Sequence, residues 1–312
     1  MVKGINMDSV EKKESISGIN KINRTRFDKV FDLGLIVIGL ILIIIYAYPM
    51  YFVVIASFSD PVYVGSGRTW FVPRGLNVLG YEEILGNMRI WTGYRNTFIY
   101  TILGTLMSLF VTLPAAYSLS RKELPARRLI NFIFLFTMFF SGGLIPLYMV
   151  LKDFNLINNF WLFIVPFSLN VYNMIISRTF FQSTIPEDLL EAARLDGCSY
   201  TYFFIRIVLP LSKAIIAVMA LYYAVAQWND YFRAMVFAPK KELVPLQLVL
   251  REILITNQQQ QQQTGVDTAT RQRLADIVKY GLILVSTIPV MIVYPFLQKY
   301  FTQGVMIGAI KG

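Results

Sequence analysis

Two carboxylates, Glu191 and Asp196, are the first candidates for chemistry in this chain because they lie close together in the segment 186–197. An acid–base enzyme needs such groups to converge on one substrate. Residues five positions apart on a helix point about 140° away from each other. The chain also has no histidine, which excludes histidine acid–base catalysis and disfavours a zinc or haem site. One alternative is an intramembrane enzyme that uses this pair as acid and base. The purified chain would then be active without partners.

The same segment predicts a short amphipathic helix over 185–196. Thr184 and Glu187 fit a capping box, with Thr184 as N-cap, and Gly197 suits the position just after the helix end. The helix is too short and too charged to cross a membrane. One face is predicted to hold Ile185, Leu189, Ala192 and Ala193. A helix of this kind either lies at a lipid surface or docks on a partner protein.

Long apolar runs flank this helix on both sides and continue through the chain. The 312 residues are 55% hydrophobic, above the usual value for a soluble domain. Each run is long enough for a hydrocarbon core that needs about 20 helical residues. The sequence therefore predicts an all-α membrane protein with six spans and no cleavable signal peptide. The predicted spans are 33–55, 96–119, 129–151, 160–181, 207–233 and 278–299.

The distribution of charge predicts the orientation of these spans. The net charge is +10, from 29 basic and 19 acidic residues, and topology explains it better than nucleic-acid binding. With the N-terminus inside, the cytosolic segments hold 15 Lys and Arg residues and the opposite side holds ten. The basic loop at 121–128 is the clearest marker. We expect both termini in the cytosol.

The remaining segments follow from that topology. A cytosolic tail occupies 1–32 and ends in part as an interfacial helix, and a second tail occupies 302–312. Between them lies a permease domain over 33–301, with a cytosolic loop at 182–206. External loops are predicted at 56–95, 152–159 and 236–277. The last loop begins with helical spacing over 243–254 and continues into six glutamines at 258–263, which we interpret as a flexible insert.

The string Glu-Ala-Ala-x-x-Asp-Gly at 191–197, with Ile-Val-Leu-Pro-Leu at 207–211, resembles the EAA loop of ABC import permeases. The segments 141–146, 223–229, 245–252 and 304–312 resemble the carbohydrate-uptake branch, and in particular permeases for oligosaccharides from plant or bacterial polysaccharides, including uronate-containing ones. The glutamine run departs from the family pattern, as does the lack of a proline at Lys213 or Ala214. The resemblance extends from the first span to the C-terminus.

This resemblance implies a type I ABC importer permease fold in the bacterial cytoplasmic membrane. The loop between spans 4 and 5 would carry the coupling helix, which docks on a cytosolic ATPase. The implied coupling residues are Glu187, Glu191, Ala192, Ala193, Asp196 and Gly197. The tail residues Gly308, Lys311 and Gly312 would also reach the ATPase. The implied partners are a second permease, two ATPase subunits, a solute-binding protein, lipid and a sugar, and nucleic acid is not among them.

The chain is not expected to act alone or as an enzyme. It has no phosphate-binding loop, so ATP and magnesium would be bound by the partner ATPase and no cofactor or metal by this chain. A sugar path needs polar groups, and two polar stripes are candidates. Span 4 offers Asn170, Asn173 and Ser177, and span 5 offers Tyr223, Gln227 and Asn229. Equally, these residues could be hydrogen-bonding contacts between helices.

Three other functions stay open at this point. A permease for a non-sugar solute fits the same motif, and a passive channel or a membrane scaffold would lack a co-purifying ATPase. Nothing in the sequence names the sugar, since a separate receptor supplies much of the specificity in such systems. Nor does it tell whether this permease or its partner holds the sugar.

Overall fold

A computed structural model of the chain describes residues 26–261, 278–292 and 295, and all regular secondary structure in that part is helical. The helices are α1 (Arg26–Ser57), α2 (Pro61–Gly65), α3 (Leu79–Gly86), α4 (Met88–Ser120), α5 (Arg127–Phe139), α6 (Leu144–Asp153), α7 (Val171–Thr184), α8 (Glu187–Leu195), α9 (Tyr200–Leu211), α10 (Lys213–Trp228), α11 (Phe232–Phe237), α12 (Leu246–Gln261) and α13 (Val278–Ile292). Short 3₁₀ turns occur at Phe160–Phe163 and Lys241–Leu243. The predicted all-α class is confirmed.

The chain divides into two compact units, residues 1–51 and 52–312. Of the first unit the structure describes the beginning of α1, from Arg26 onward. The whole helix has 32 residues, which corresponds to about 48 Å at the usual helical rise and exceeds a hydrocarbon core of about 30 Å. It includes the predicted first span. Every element from α2 to α13 belongs to the second unit.

Two helices of the described residues, α1 and α4, are long and apolar enough to cross a membrane unaided. Two bent pairs each add a candidate span. The pair α5 and α6 is bent by 116° at the break after Phe139, where Gly143 adopts a φ of +84°. The predicted third span, 129–151, is therefore broken rather than straight. With α13 as a shorter apolar helix, the count of six stays a prediction.

The prediction that the fourth span, 160–181, is a single helix is wrong. A 3₁₀ turn at Phe160–Phe163 is followed by irregular backbone, and α7 begins only at Val171. Pro166 lies in that interruption, where a proline cannot donate a helical hydrogen bond. The side chain of Asn170 then caps α7 by accepting from the backbone N–H of Asn173 at 3.1 Å.

The fifth predicted span, 207–233, is divided among three helices. Residues 200–211 form α9, which includes a π-helical stretch at Phe204–Val208, and α9 and α10 meet at Ser212 with a bend of 84°. Pro210 explains the irregularity, because it cannot donate to the carbonyl of Arg206 and its ring crowds that carbonyl. The span ends at Trp228, and α11 follows as a separate short helix.

α4 is the central helix of the second unit and packs against α7, α10 and α12. Gly104 permits the approach of α10: a Cβ at this position would lie 2.2 Å from Nε2 of Gln227. Two buried apolar clusters surround α4. One includes Tyr100 and Phe163 toward its N-terminal end, and the other includes Tyr117 and Phe181 toward its C-terminal end.

Contacts of loops and helix ends define the two ends of this helix bundle. At one end, the backbone N–H of Asn158 donates to the carbonyl of Phe237 at 2.9 Å, and Nδ2 of Asn96 donates to the carbonyl of Glu242 at 2.7 Å. At the other end, Lys122 and Glu187 form an ion pair at 3.0 Å. The loops predicted to share one side of the membrane therefore lie together in each case.

The helical spacing predicted over 243–254 is confirmed by α12, whose Leu246, Val249 and Leu250 are buried. α12 continues to Gln261, so the first four glutamines of the run extend a helix instead of forming the predicted flexible insert. The last two lie outside the described residues. The region 56–95, predicted to be an external loop, is likewise partly helical, since it contains α2, α3 and the first turns of α4.

Candidate coupling surface

The helix predicted at 185–196 exists as α8, but its N-terminus differs from the prediction. α8 begins at Glu187 with Pro186 as its N-cap residue, and Thr184 is the last residue of α7. The predicted capping box is wrong, since Thr184 Oγ1 has no hydrogen-bond partner among the described residues. The reason is local: a residue before proline avoids the helical region, and Ile185 is extended, with φ −103° and ψ 102°.

The C-terminus of α8 agrees with the prediction. Gly197 adopts a φ of +77°, a left-handed conformation that glycine adopts without strain. The backbone N–H of Cys198 donates to the carbonyl of Ala193 at 2.9 Å, and that of Gly197 donates to the carbonyl of Arg194 at 3.0 Å. This pair of bonds is a Schellman motif, which ends the helix and redirects the chain toward α9.

Leu190 anchors α8 to the bundle, and the sequence argument missed it. Its side chain is only 2% exposed and belongs to the buried cluster around Tyr117, Phe181 and Phe203. Ile185, just before the helix, is buried in the same cluster. Leu190 and the half-buried Ala193 are three residues apart and therefore share one face of α8.

The outward face of α8 combines a small residue with apolar and acidic neighbours. Ala192 lies about 160° around the helix axis from Leu190 and is exposed. Leu189 and Leu195, which flank it, are 36% and 90% exposed. The predicted grouping of Leu189 and Ala192 with Ala193 on one face is therefore wrong in part, because Ala193 turns inward. Glu191 is also exposed.

Ion pairs connect both ends of α8 to the basic loop after α4. Glu187, in the first turn, lies 3.0 Å from Nζ of Lys122, and Arg194, in the last turn, lies 3.9 Å from Glu123. The guanidinium of Arg194 also lies 5.2 Å from the ring centre of Tyr200. These groups are about half exposed or more, so each pair contributes little to stability. They show which faces of α8 turn toward the loop.

The predicted coupling residues therefore divide by environment. Glu191, Ala192, Asp196 and Gly197 are exposed, whereas Ala193 is half-buried. Glu187 is exposed as well, although its carboxylate is directed to Lys122. The predicted tail residues Gly308, Lys311 and Gly312 lie outside the described part of the chain.

The polar residues of α7 are buried, and the predicted stripe is shorter than expected. Asn170 precedes the helix as its cap, so it does not share a helical face with the other two. Asn173 is 7% exposed, and Ser177 is fully buried and donates to the carbonyl of Asn173 at 2.9 Å. In this chain both are covered by neighbouring helices, and a role in the sugar path stays a prediction.

The predicted path residues of α10 make hydrogen bonds between elements. The Tyr223 hydroxyl lies 2.7 Å from Thr112 Oγ1 and accepts from the backbone N–H of Asn170 at 3.3 Å. Gln227 Nε2 donates to the carbonyl of Phe163 at 3.1 Å. Asn229 is exposed and donates to its own helix, at the carbonyl of Val225. Within the single chain, Tyr223 and Gln227 thus join helices.

No group of three or more His, Cys, Asp and Glu side chains that could hold a metal ion occurs among the described residues. Two partly buried charged side chains follow α10 and pair with each other. Asp230 and Arg233 form an ion pair, and Nη2 of Arg233 donates to Oε1 of Gln227 at 2.7 Å. The guanidinium lies over the ring of Phe167, 4.9 Å from its centre. Such contacts offset part of the cost of burying the two charges.

Comparison with known proteins places this architecture in a family. Residues 90–307 match the family described as the binding-protein-dependent transport system inner membrane component, and the chain belongs to that family. The match includes α8 and the helices around it. The predicted identity as an ABC importer permease is thereby confirmed, and the chain is a membrane transport subunit.

Individual relatives are similar over nearly the whole chain. The chain is 35% identical to the polygalacturonan/rhamnogalacturonan transport system permease protein YtcP of Bacillus subtilis, with 91% of this chain and 99% of the relative aligned. It is 34% identical to protein LplC of the same organism, at coverages of 94% and 99%. A crystal structure of a bacterial ABC transporter involved in the import of the acidic polysaccharide alginate matches with a TM-score of 0.79 and 32% identity, covering 89% of this chain and 99% of that chain.

Proposed function

We propose that this permease imports a uronate-containing oligosaccharide and that α8 is the helix through which a separate ATPase drives it. The observation that carries the proposal is the construction of α8: one side is anchored in the bundle by Leu190, and the other exposes Ala192 between Leu189 and Leu195. Exposed apolar side chains around a small residue suit close contact with a protein groove.

The anchoring explains how force on α8 would reach the membrane helices. Leu190 shares a buried cluster with side chains of α4, α7, α9 and α10. Such a cluster is close-packed and resists local deformation, so a displacement of α8 is transmitted to its neighbours. Closure of an ATPase dimer on ATP binding would push α8 and tilt these helices between inward- and outward-facing states.

The proposal also assigns roles to the other subunits of the importer. A second permease completes the pathway, two ATPase subunits bind ATP and magnesium, and a solute-binding protein delivers the sugar. α8 and the loop 121–126 lie together at one end of the bundle, which we assign to the cytosol because that loop is basic. The termini are then cytosolic as well.

The substrate class rests on the relatives. One similar protein is a polygalacturonan/rhamnogalacturonan transport permease, another is involved in the import of alginate, and polygalacturonan and alginate are both built from uronates. Asn173, Tyr223 and Gln227 are proposed as polar groups of the path, with Tyr223 and Gln227 released from their present hydrogen bonds when the helices move. Neutral amide and hydroxyl groups exchange partners with sugar hydroxyls at little cost.

Reconstituted transport tests the substrate class. The permease, its partner permease, the ATPase and the solute-binding protein are placed in liposomes, and uptake of labelled oligogalacturonides is measured with and without ATP. We expect ATP-dependent uptake of the oligogalacturonides above that of neutral oligosaccharides of equal length. Uptake restricted to neutral sugars would contradict the uronate assignment, and uptake of a non-sugar solute alone would contradict the sugar assignment.

A further inference from the structure

A groove of about 740 Å³ lies on the second unit beside α8. α4 forms one wall, between Leu109 and Ser118, and α9 forms the other, between Tyr200 and Leu209. The segment 121–125 closes one end. Apart from that end the lining is almost entirely apolar, with Leu113 and Phe204 among its residues. It is separate from the outward face of α8 and from the proposed path residues.

Two buried polar groups that line this groove lack a hydrogen-bond partner among the described residues, although the guanidinium of Arg121 lies over the ring of Tyr117, 4.8 Å from its centre. These groups are Nε of Arg121 and the hydroxyl of Tyr117. Arg121 is 8% exposed and Tyr117 is 6% exposed. A buried donor without a partner costs free energy, and an ionised guanidinium costs more than a hydroxyl. A ligand that supplies acceptors at this end of the groove would remove that cost.

The dimensions and position of the groove suit a lipid molecule. From Leu109 to Arg121 the wall along α4 measures about 18 Å, close to half of a hydrocarbon core of about 30 Å. Arg121 directly follows the end of α4, where a basic side chain lies near the membrane surface. The apolar walls therefore lie at the depth of one leaflet's acyl chains, and Arg121 lies at the depth of their headgroups.

The basic residues at the Arg121 end of the groove favour a lipid with an anionic headgroup. The loop 121–128 carries four basic residues and one acidic residue, Glu123, which is already paired with Arg194 at 3.9 Å. A guanidinium binds phosphate through several N–H groups, and basic residues beside a membrane attract anionic lipids. We propose that the groove binds one anionic phospholipid, with an acyl chain along Leu113 and Phe204 and the phosphate at Arg121 and Tyr117.

Native mass spectrometry of the assembled importer tests this site, with phosphatidylglycerol as the probe. Arg121→Gln removes the charge and retains a polar side chain, whereas Arg128→Gln makes the same change at an exposed residue in the first turn of α5, outside the groove. We expect phosphatidylglycerol retention to fall about tenfold in Arg121→Gln, the loss expected for one charge-assisted hydrogen bond, and to stay unchanged in Arg128→Gln.

A second measurement separates lipid binding from folding. Phosphatidylglycerol is expected to raise the melting temperature of the wild-type complex and of Arg128→Gln, and to have no such effect on Arg121→Gln. Phosphatidylcholine is the zwitterionic control. Equal retention of phosphatidylglycerol by all three proteins, equal retention of both lipids by the wild type, or a segment of another subunit filling the groove in the assembled complex would each overturn the proposal.

Discussion

Replacing Glu191 by lysine is expected to reduce substrate uptake by about tenfold or more while the importer stays assembled in the membrane. Glu191 is exposed on α8 next to Ala192, and it makes no ion pair within the described residues. Charge reversal at such a site has little effect on folding, within about 0.5 kcal/mol. The substitution would therefore weaken the contact between α8 and the ATPase. The rate of substrate uptake into reconstituted liposomes measures this effect.

Glu83→Lys is the matched control for this substitution. Glu83 is an exposed glutamate of α3, away from α8, and the change in charge is the same. We expect uptake by this variant to equal that of the wild type. If Glu191→Lys transports as fast as Glu83→Lys at equal amounts of assembled protein, the docking role of α8 is wrong.

The second large effect is expected at Gly104, where Gly104→Val should prevent correct packing of α4 against α10. A Cβ there would lie 2.2 Å from Nε2 of Gln227, a side chain held by Phe163 and Arg233. Displacing Gln227 breaks both hydrogen bonds, at about 1–3 kcal/mol for each buried group left unpaired, and overpacking adds about 1–3 kcal/mol. We expect a several-fold loss of monodisperse protein in gel filtration after extraction.

Two further variants isolate the cause of that loss. Gly39 lies within α1, and a Cβ at that position would meet no atom within 4 Å, so Gly39→Val should extract normally. Adding Gln227→Ala to Gly104→Val removes the side chain that collides, and part of the monodisperse protein should return. Failure of the double variant to improve on Gly104→Val would show that the clash with Gln227 is not the cause.

Much of α8 could be predicted because its signals are local. Gly197 fits a left-handed position after a helix, and the two bonds of the Schellman motif follow from that conformation. The start of the helix was mispredicted although the information was present. Ile185 precedes Pro186, and the steric restriction on that residue outweighs the apparent capping box at Thr184.

Burial was harder to predict than helix position. Leu189 and Leu190 are adjacent and chemically identical, yet only Leu190 is buried. Which of them faces inward depends on where α8 meets Tyr117 and Phe181, and these residues belong to distant parts of the chain. Because Ile185 lies outside α8, its burial says nothing about which face of the helix is buried, and the predicted face that grouped Ile185 with Leu189 was misassigned.

The breaks in the predicted spans show that hydropathy alone does not predict the shape of a helix. An apolar run predicts that a segment lies in the membrane, but it does not predict a straight helix. Pro166 and Gly143 gave local signals for interruptions. No local sequence signal indicates the hydrogen bonds of Tyr223 to Thr112 and of Gln227 to Phe163, because the partners are remote in sequence.

Cross-linking from α8 tests the central claim most directly. The chain has one cysteine, so Cys198→Ser gives a background in which Ala192→Cys carries the only thiol on the outward face of α8. The thiol is labelled with benzophenone maleimide before assembly, and irradiation of the assembled importer is expected to give a product of this permease joined to the ATPase subunit, while Ser66→Cys, exposed beyond α2, gives none. A thiol at position 192 that reacts freely with a soluble maleimide and never joins the ATPase, in any nucleotide state, would contradict the account.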